Sequence, residues 1–234
     1  SLNHQKTQTK TQTKTQIQKT KHSLFKISFF AVLSLIIIYT LLFNFLDLPT
    51  AKLIHSLSTQ TLIYKISLHI EAIFSPSHWL ILSCALILIG VGLLFKQKKS
   101  SPQVQTFFQI GFSGILAFII AGICKVILAR YRPLEFFNTG LYGFHFFSDQ
   151  HDLNSTPSGH TVMAAALLGS MANQFKKIWV WALVILICIL IALSRLVLNA
   201  HFISDLIFAG YIAALSIYWV NYLFKNLNNL KKKK

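Results

Sequence analysis

Apolar residues in this chain come in long unbroken runs, without the two-residue alternation of a half-buried strand or the single stripe of a surface helix. Six such runs stand out, at residues 24–46, 77–95, 104–128, 160–174, 178–197 and 202–224. A bilayer needs ~20 apolar residues per helical crossing, and only helices or closed barrels satisfy their backbone inside it. The pattern predicts an all-α membrane protein built as a six-transmembrane-helix bundle. The fourth run is short, so it is expected to cross obliquely or to begin below the membrane surface. Between the first two runs, residues 48–76 mix Leu, Ile and Phe with Lys52, His55, Lys65, His69 and Glu71. That mixture predicts an interfacial amphipathic helix.

The first 22 residues form a KTQT-like low-complexity stretch with hardly an apolar residue. Such a stretch cannot bury a core, so a disordered basic cytoplasmic tail is expected over residues 1–22, ahead of a membrane domain over residues 23–234. It lacks the cleavage pattern of a signal peptide, and the apolar run after it is too long for one.

Composition strengthens the membrane reading. Of 234 residues, 54% are hydrophobic and 12% charged, against about 25% charged in soluble domains. The formal net charge of +16 could suggest nucleic acid, but its distribution argues otherwise. Sixteen of the nineteen lysines fall before or at the start of the first run, after the second, after the fourth or after the sixth. Six crossings place all of these on one side, so both termini are expected in the cytoplasm. The partner this implies is a membrane, and no nucleic acid is expected. Cys84, Cys124 and Cys188 all lie inside apolar runs and read as small packed hydrophobes.

The remaining charges are more informative. The three arginines, Arg130, Arg132 and Arg195, fall on the opposite side, with Lys125 near the same end of the third run and Asp205 the only acidic residue inside any run. Charges there are costly, so each is a functional candidate, with snorkelling or a structural ion pair as the alternative. The same topology brings "KVILARYRP" (125–133), "PSGH" (157–160) and "SRLVLNAHFISD" (194–205) to one face.

At the mouth of the fourth run, Thr156 suits an N-cap and Pro157 the first helical position. Ser158 and Gly159 follow, and the free N–H groups of such a helix end make an anion site suited to phosphate. A plain cap would also explain Thr-Pro-Ser, but it would not require His160. His201 and Asp205 are four apart, which on a helix is one face. A carboxylate bonded to one imidazole nitrogen leaves the other as a nucleophile, although such pairs are also common as structural contacts. His160 is then free to protonate a departing oxygen, while Lys125, Arg132 and Arg195 neutralise phosphoryl charge. Neither a metal nor any other cofactor is expected, because metal ligands would need more carboxylates than Asp205 alone.

Three pieces of this pattern carry a family resemblance. They are Lys125 with Arg132 and Pro133; the run Pro157, Ser158, Gly159, His160; and Ser194 and Arg195 with His201 and Asp205. Together they resemble the three-part signature of the type 2 phosphatidic acid phosphatase superfamily, over residues 77 to 224. The resemblance implies a metal-independent, six-helix lipid phosphatase with a phosphohistidine intermediate. Carried over by motif position, His201 is the nucleophile, Asp205 its orienting partner and His160 the general acid. Lys125, Arg132, Ser158, Gly159 and Arg195 hold the phosphate.

The stretch around "YRPLEFF", "GLYGFHFF" and "PSGHT" is most similar to bacterial lipid A 1-phosphatases. That implies a bacterial inner-membrane enzyme with its site facing the periplasm and a phospholipid or lipid A as substrate. Undecaprenyl pyrophosphate, phosphatidylglycerophosphate and phosphatidic acid phosphatases share the chemistry, as does a lipid phosphotransferase. Soluble vanadium haloperoxidases share the signature, but six spans argue against them. An anion transporter would need charges lining a path across the membrane, whereas these collect at one end. The aromatics of the 134–156 link, Phe136, Phe137, Tyr142, Phe144, Phe146 and Phe147, either grip acyl chains or pack over the bundle.

Overall fold

The computed structural model describes residues 2–58, 62–98 and 100–231. Among these, nine α-helices follow in order. They are α1 (Leu2–Phe45), α2 (Asp47–Ser58), α3 (Leu62–Ile73), α4 (Pro76–Gln97), α5 (Pro102–Leu128), α6 (Pro133–Thr139), α7 (Gly159–Phe175), α8 (Ile178–Val197) and α9 (Ile203–Lys231). The chain writes several of these boundaries locally. Ser75 and Ser101 cap α4 and α5 through their side chains, with Pro76 and Pro102 at the first helical position, where a missing N–H costs nothing.

Among the described residues, five segments are long and apolar enough to cross a membrane: His22–Phe45, Leu62–Gln97, Pro102–Leu128, Ile178–Val197 and Ile203–Asn229. The sixth expected run, 160–174, forms α7, which has 17 residues. At 1.5 Å per residue that is about 26 Å, short of a ~30 Å hydrocarbon core. It is packed among α4, α5, α8 and α9, so its neighbours supply the apolar surroundings that lipid supplies elsewhere.

Two expectations change. The single interfacial helix over 48–76 is two helices, and α3 joins α4 in the Leu62–Gln97 candidate span. In α3, Leu62, Ile63, Ile66 and Ile73 are exposed alongside Lys65 and His69, whereas Glu71 pairs with an arginine. The expected disordered tail also differs, because the backbone of residues 2–22 is helical and continuous with α1. That stretch contains neither Pro nor Gly, so a helix nucleated in the apolar run can propagate back through it.

The centre is made by α5, α7 and α9, whose facing residues are small: Ala117, Ala121, Val162, Ala166, Ala209, Ile212 and Ala213. Small residues let helix backbones approach closely, the usual means of association where lipid removes the hydrophobic drive. Where α4 meets α5, a Cβ on Gly111 would lie 2.6 Å from Ile87 Cγ1 and 2.8 Å from the Ser83 carbonyl. Only glycine fits that crossing. Large apolar side chains such as Phe29, Ile36, Leu41, Ile81, Leu88, Ile119, Ile185 and Leu190 face outward, as a lipid-facing surface requires.

This arrangement brings one end of the bundle together. The last turns of α5 and α8 and the first turns of α7 and α9 meet there, with the start of α2 against α9.

Candidate active site

The link after α5 fixes the first group of charges. His145, Phe146, Phe147 and Ser148 donate backbone N–H bonds to the carbonyls of Ala129, Leu128, Ile127 and Val126, at 2.9–3.2 Å. These carbonyls end a helix and have no partner within it, so the loop both completes α5 and is held by it. Lys125, in the last turn, donates from Nζ to the Asn154 carbonyl at 2.6 Å. Arg132 caps α6 and donates from Nε to the His151 carbonyl at 3.1 Å.

The "PSGH" run opens α7 two residues later than expected. Ser158, not Thr156, is the N-cap, accepting from Thr161 N. The Thr156 hydroxyl is instead taken by the Asp205 carboxylate. Val162 N bonds the Ser158 carbonyl, so the end of the helix leaves the N–H groups of Gly159 and His160 for an outside acceptor. A Cβ on Gly159 would lie 3.3 Å from Pro76 Cγ and 3.9 Å from Lys125 Cε. Glycine here lets the Lys125 side chain and α4 close on the helix mouth.

His201 and Asp205 are not paired as the spacing suggests. α9 begins at Ile203, so His201 lies outside the helix and the four-residue rule does not apply to it. Asp205 sits in the first turn and its Oδ2 accepts from Phe202 N at 2.8 Å, the carboxylate half of a capping box. Its remaining capacity goes to Ser155 Oγ at 2.6 Å, Thr156 Oγ1 and Arg130. The His201 ring is oriented instead by a backbone carbonyl, with Nδ1 2.6 Å from the Ser155 oxygen. A carbonyl can only accept, so Nδ1 carries the proton and Nε2 keeps its lone pair. His201 is buried at 3% exposure. Burial first, then the charges of Arg195, Lys125 and Arg132, hold its pKa well below the usual histidine range. With the Asp205 charge met by Arg130, the three site cations prevail.

The same charges reach His160, which feels Arg195, Glu71 and Lys125. Thus Lys125, Arg132, Arg195, His160 and His201 are brought together, with Ser158 and Gly159 at the helix mouth. Asp205 stands behind them. Among the described residues no three His, Cys, Asp or Glu side chains gather into a metal-binding group. The groups that converge are guanidinium, ammonium and amide donors, which suit an anion.

The sequence singled out Arg130 only as a costly charge with a structural ion pair as one reading, and gave no site role to Asp47 or Glu71. Arg130 is fully buried and bridges two buried carboxylates, Asp47 Oδ2 at 2.7 Å and Asp205 Oδ1 at 2.6 Å. It also donates to Tyr39 and Ser204 at 2.9 and 2.6 Å and to Tyr142 at 3.2 Å. Its guanidinium lies 4.3 Å from the Phe202 ring centroid and 4.9 Å from that of Phe43. Asp47, at the start of α2, also accepts from Ser204 N at 3.0 Å, so two carboxylates sit on the positive end of α9. The only sequence signal for this hub was an arginine beside an apolar run. The link aromatics divide between the expected roles. Tyr142 and Phe144 pack around Arg130 and Phe137 stacks on His55 of α2 at 3.9 Å, whereas Phe146 and Phe147 are exposed.

The model of the PAP2 superfamily matches residues 106–229. The chain is 31% identical over 147 residues to a lipid A 1-phosphatase of Rhizobium johnstonii, covering 57% of either chain. It is 30% identical over 162 residues to a lipid A 1-phosphatase of Rhizobium etli, covering 61% of this chain and 66% of that one. The matched segment therefore spans less than two thirds of these relatives. A crystal structure of a transmembrane PAP2-type phosphatidylglycerolphosphate phosphatase from Bacillus subtilis aligns with a TM-score of 0.53 and 18% identity, over 85% of this chain and 96% of that one. That likeness is one of fold.

Proposed function

The chain belongs to the PAP2 superfamily, and on that premise we propose that it is a membrane lipid phosphatase working through a phosphohistidine. The observation that carries this is the buried His201, its Nδ1 engaged by the Ser155 carbonyl and its ring in the field of Arg195, Lys125 and Arg132. A neutral imidazole surrounded by cations is poor as a base for protons and well placed to attack an anionic phosphorus. Nε2 attacks and the phosphorus–oxygen bond to the lipid breaks. His160 gives its proton to the departing oxygen. Lys125, Arg132, Arg195 and the N–H groups at the mouth of α7 take up the phosphoryl charge. Water, deprotonated by His160, then attacks the phosphohistidine, releasing phosphate and restoring His201.

If His160 is the acid, its loss depends on the leaving group. A lipid alkoxide needs a proton to depart, while an activated aryl oxide hardly does. His160→Ala is expected to cost about 100-fold or more on a lipid phosphate and far less on p-nitrophenyl phosphate. Equal losses in steady-state kcat/KM would make His160 a phosphate ligand only.

For the substrate we take lipid A bearing a 1-phosphate, presented on the periplasmic leaflet of a bacterial inner membrane. The two Rhizobium relatives support this substrate class. The lysine distribution supports cytoplasmic termini and a periplasmic site. The test is phosphate release by the purified protein, without acceptor lipid and with EDTA present. The panel is lipid A, undecaprenyl pyrophosphate, phosphatidylglycerophosphate and phosphatidic acid. Fastest release from lipid A is expected, with EDTA without effect. A different fastest substrate would reassign specificity, absence of release without an acceptor would indicate a transferase, and rescue of a chelated sample by Mg²⁺ would overturn the mechanism.

A further inference from the structure

Two groups at the site keep polar atoms buried without a hydrogen-bond partner: Nε and Nη1 of Arg195 and Nε2 of His160. Glu71, near the end of α3, forms an ion pair with the first of them, Oε1 lying 2.6 Å from Arg195 Nη1, and its charge also acts on His160. We propose that Glu71 is a positioning residue of the phosphate site, holding the Arg195 guanidinium through the ion pair at Nη1 so that its Nε edge meets the phosphoryl group. The proposal rests on the phosphatase reading.

The shape of the guanidinium makes this hold effective. A guanidinium is a planar fork, so fixing one Nη and the side-chain stem fixes where the Nε edge points. Nε is buried without a partner in the protein, which leaves it for a phosphate oxygen. Glu71 does this from outside the three motif segments. Its side chain is 39% exposed while that of Arg195 is 3%, so Glu71 reaches in from the edge and is not itself sealed in. Charge supports the assignment. Arg195 stands among Lys125 and Arg132 as cations acting on His201, and a carboxylate on its outer arm offsets repulsion that would otherwise push it away while the site is empty.

A simple structural tie between α3 and α8 would give the same ion pair, and a double-mutant cycle separates the two. Glu71→Ala, Arg195→Ala and the double variant are assayed with p-nitrophenyl phosphate, each checked for a wild-type melting temperature in detergent. Arg195→Ala is expected to lower kcat/KM by about 10²–10³-fold. Glu71→Ala is expected to lower it by up to about 100-fold through misplacement of the guanidinium. The double variant should be no worse than Arg195→Ala alone, because a positioning residue has nothing left to position. Additive losses, or wild-type rates in Glu71→Ala, would reduce the contact to a structural tie.

If Glu71→Ala does not fold, Glu71→Gln carries the cycle, since it keeps an acceptor oxygen and loses only the charge. Orthovanadate binding, read as a melting-temperature increase, tests positioning without turnover. Glu71→Gln should weaken it in the wild-type background and leave it unchanged in the Arg195→Ala background. Vanadate binding with that pattern in a protein that releases no phosphate would sink the phosphatase reading and keep the positioning one. Equal binding by wild type and Glu71→Gln would sink the positioning.

Discussion

Replacing His201 by alanine is expected to abolish phosphate release, with a loss on the order of 10⁶-fold as for other removed nucleophiles, while the protein stays folded in its membrane. The change removes the Nε2 proposed to attack. Its structural cost is one hydrogen bond to the Ser155 carbonyl and the burial of a carbonyl without a partner, about 1–3 kcal/mol. The paired measurements are phosphate release and melting temperature in detergent. Wild-type rates in a folded His201→Ala sample would remove it as the nucleophile. The pH dependence of the wild type carries the same information. Attack needs neutral His201, so activity falls as pH drops through the pKa of the free enzyme. Burial and the neighbouring cations lower that pKa well below the ordinary value. The acid limb of kcat/KM contributed by this group should therefore lie below the ~6.5 of a free imidazole. A limb at or above that value would mean that a carboxylate governs His201 after all.

Replacing Arg130 by methionine has the largest expected effect on stability. It leaves Asp47 and Asp205, both buried, without the cation that bridges them. Breaking a buried ion pair from one side costs about 3–5 kcal/mol, because an uncompensated charge remains. The aromatic faces of Phe202 and Phe43 lose their cation as well. Arg130→Lys should fall between wild type and Arg130→Met, since an ammonium is a point charge that cannot serve both carboxylates as a fork does. Adding Asp47→Asn to Arg130→Met should recover part of the loss by removing one unpaired charge. The readout is the melting temperature of the detergent-purified proteins, and a wild-type value for Arg130→Met would rule out the hub as a stabilising element. A folded Arg130→Met with slow turnover would instead show the hub acting on the Ser155–Thr156 segment that orients His201.

The amino-acid sequence by itself determined the class of this protein and the neighbourhood of its site. Hydropathy runs are local properties, and a run long enough to cross lipid forms a helix whatever its neighbours do. α5 and α8 accordingly fall within a few residues of the expected runs, 104–128 and 178–197. Counting crossings then places Lys125, Arg132, His160, Arg195 and His201 at one end before any packing is known. Composition was a weaker guide in residues 2–22 and 48–76. Polarity there suggested disorder or an interfacial position, but a helix joined to an apolar run follows that run, and α3 could turn Glu71 inward because Arg195 was there to receive it.

Only the tertiary structure decided which atom holds which. The spacing of His201 and Asp205 reads as one helical face, yet that inference requires both to be helical, and α9 starts between them at Ile203. Asp205 is therefore free to cap its own helix and to meet Arg130, 75 positions away, while Arg130 also reaches Asp47 across 83 positions. Contacts of that sequence separation leave no periodic trace. They exist because burying a carboxylate away from water demands a cation or several donors. Which partners satisfy that demand depends on how the ends of α2, α5 and α9 come together, and no local pattern contains that information.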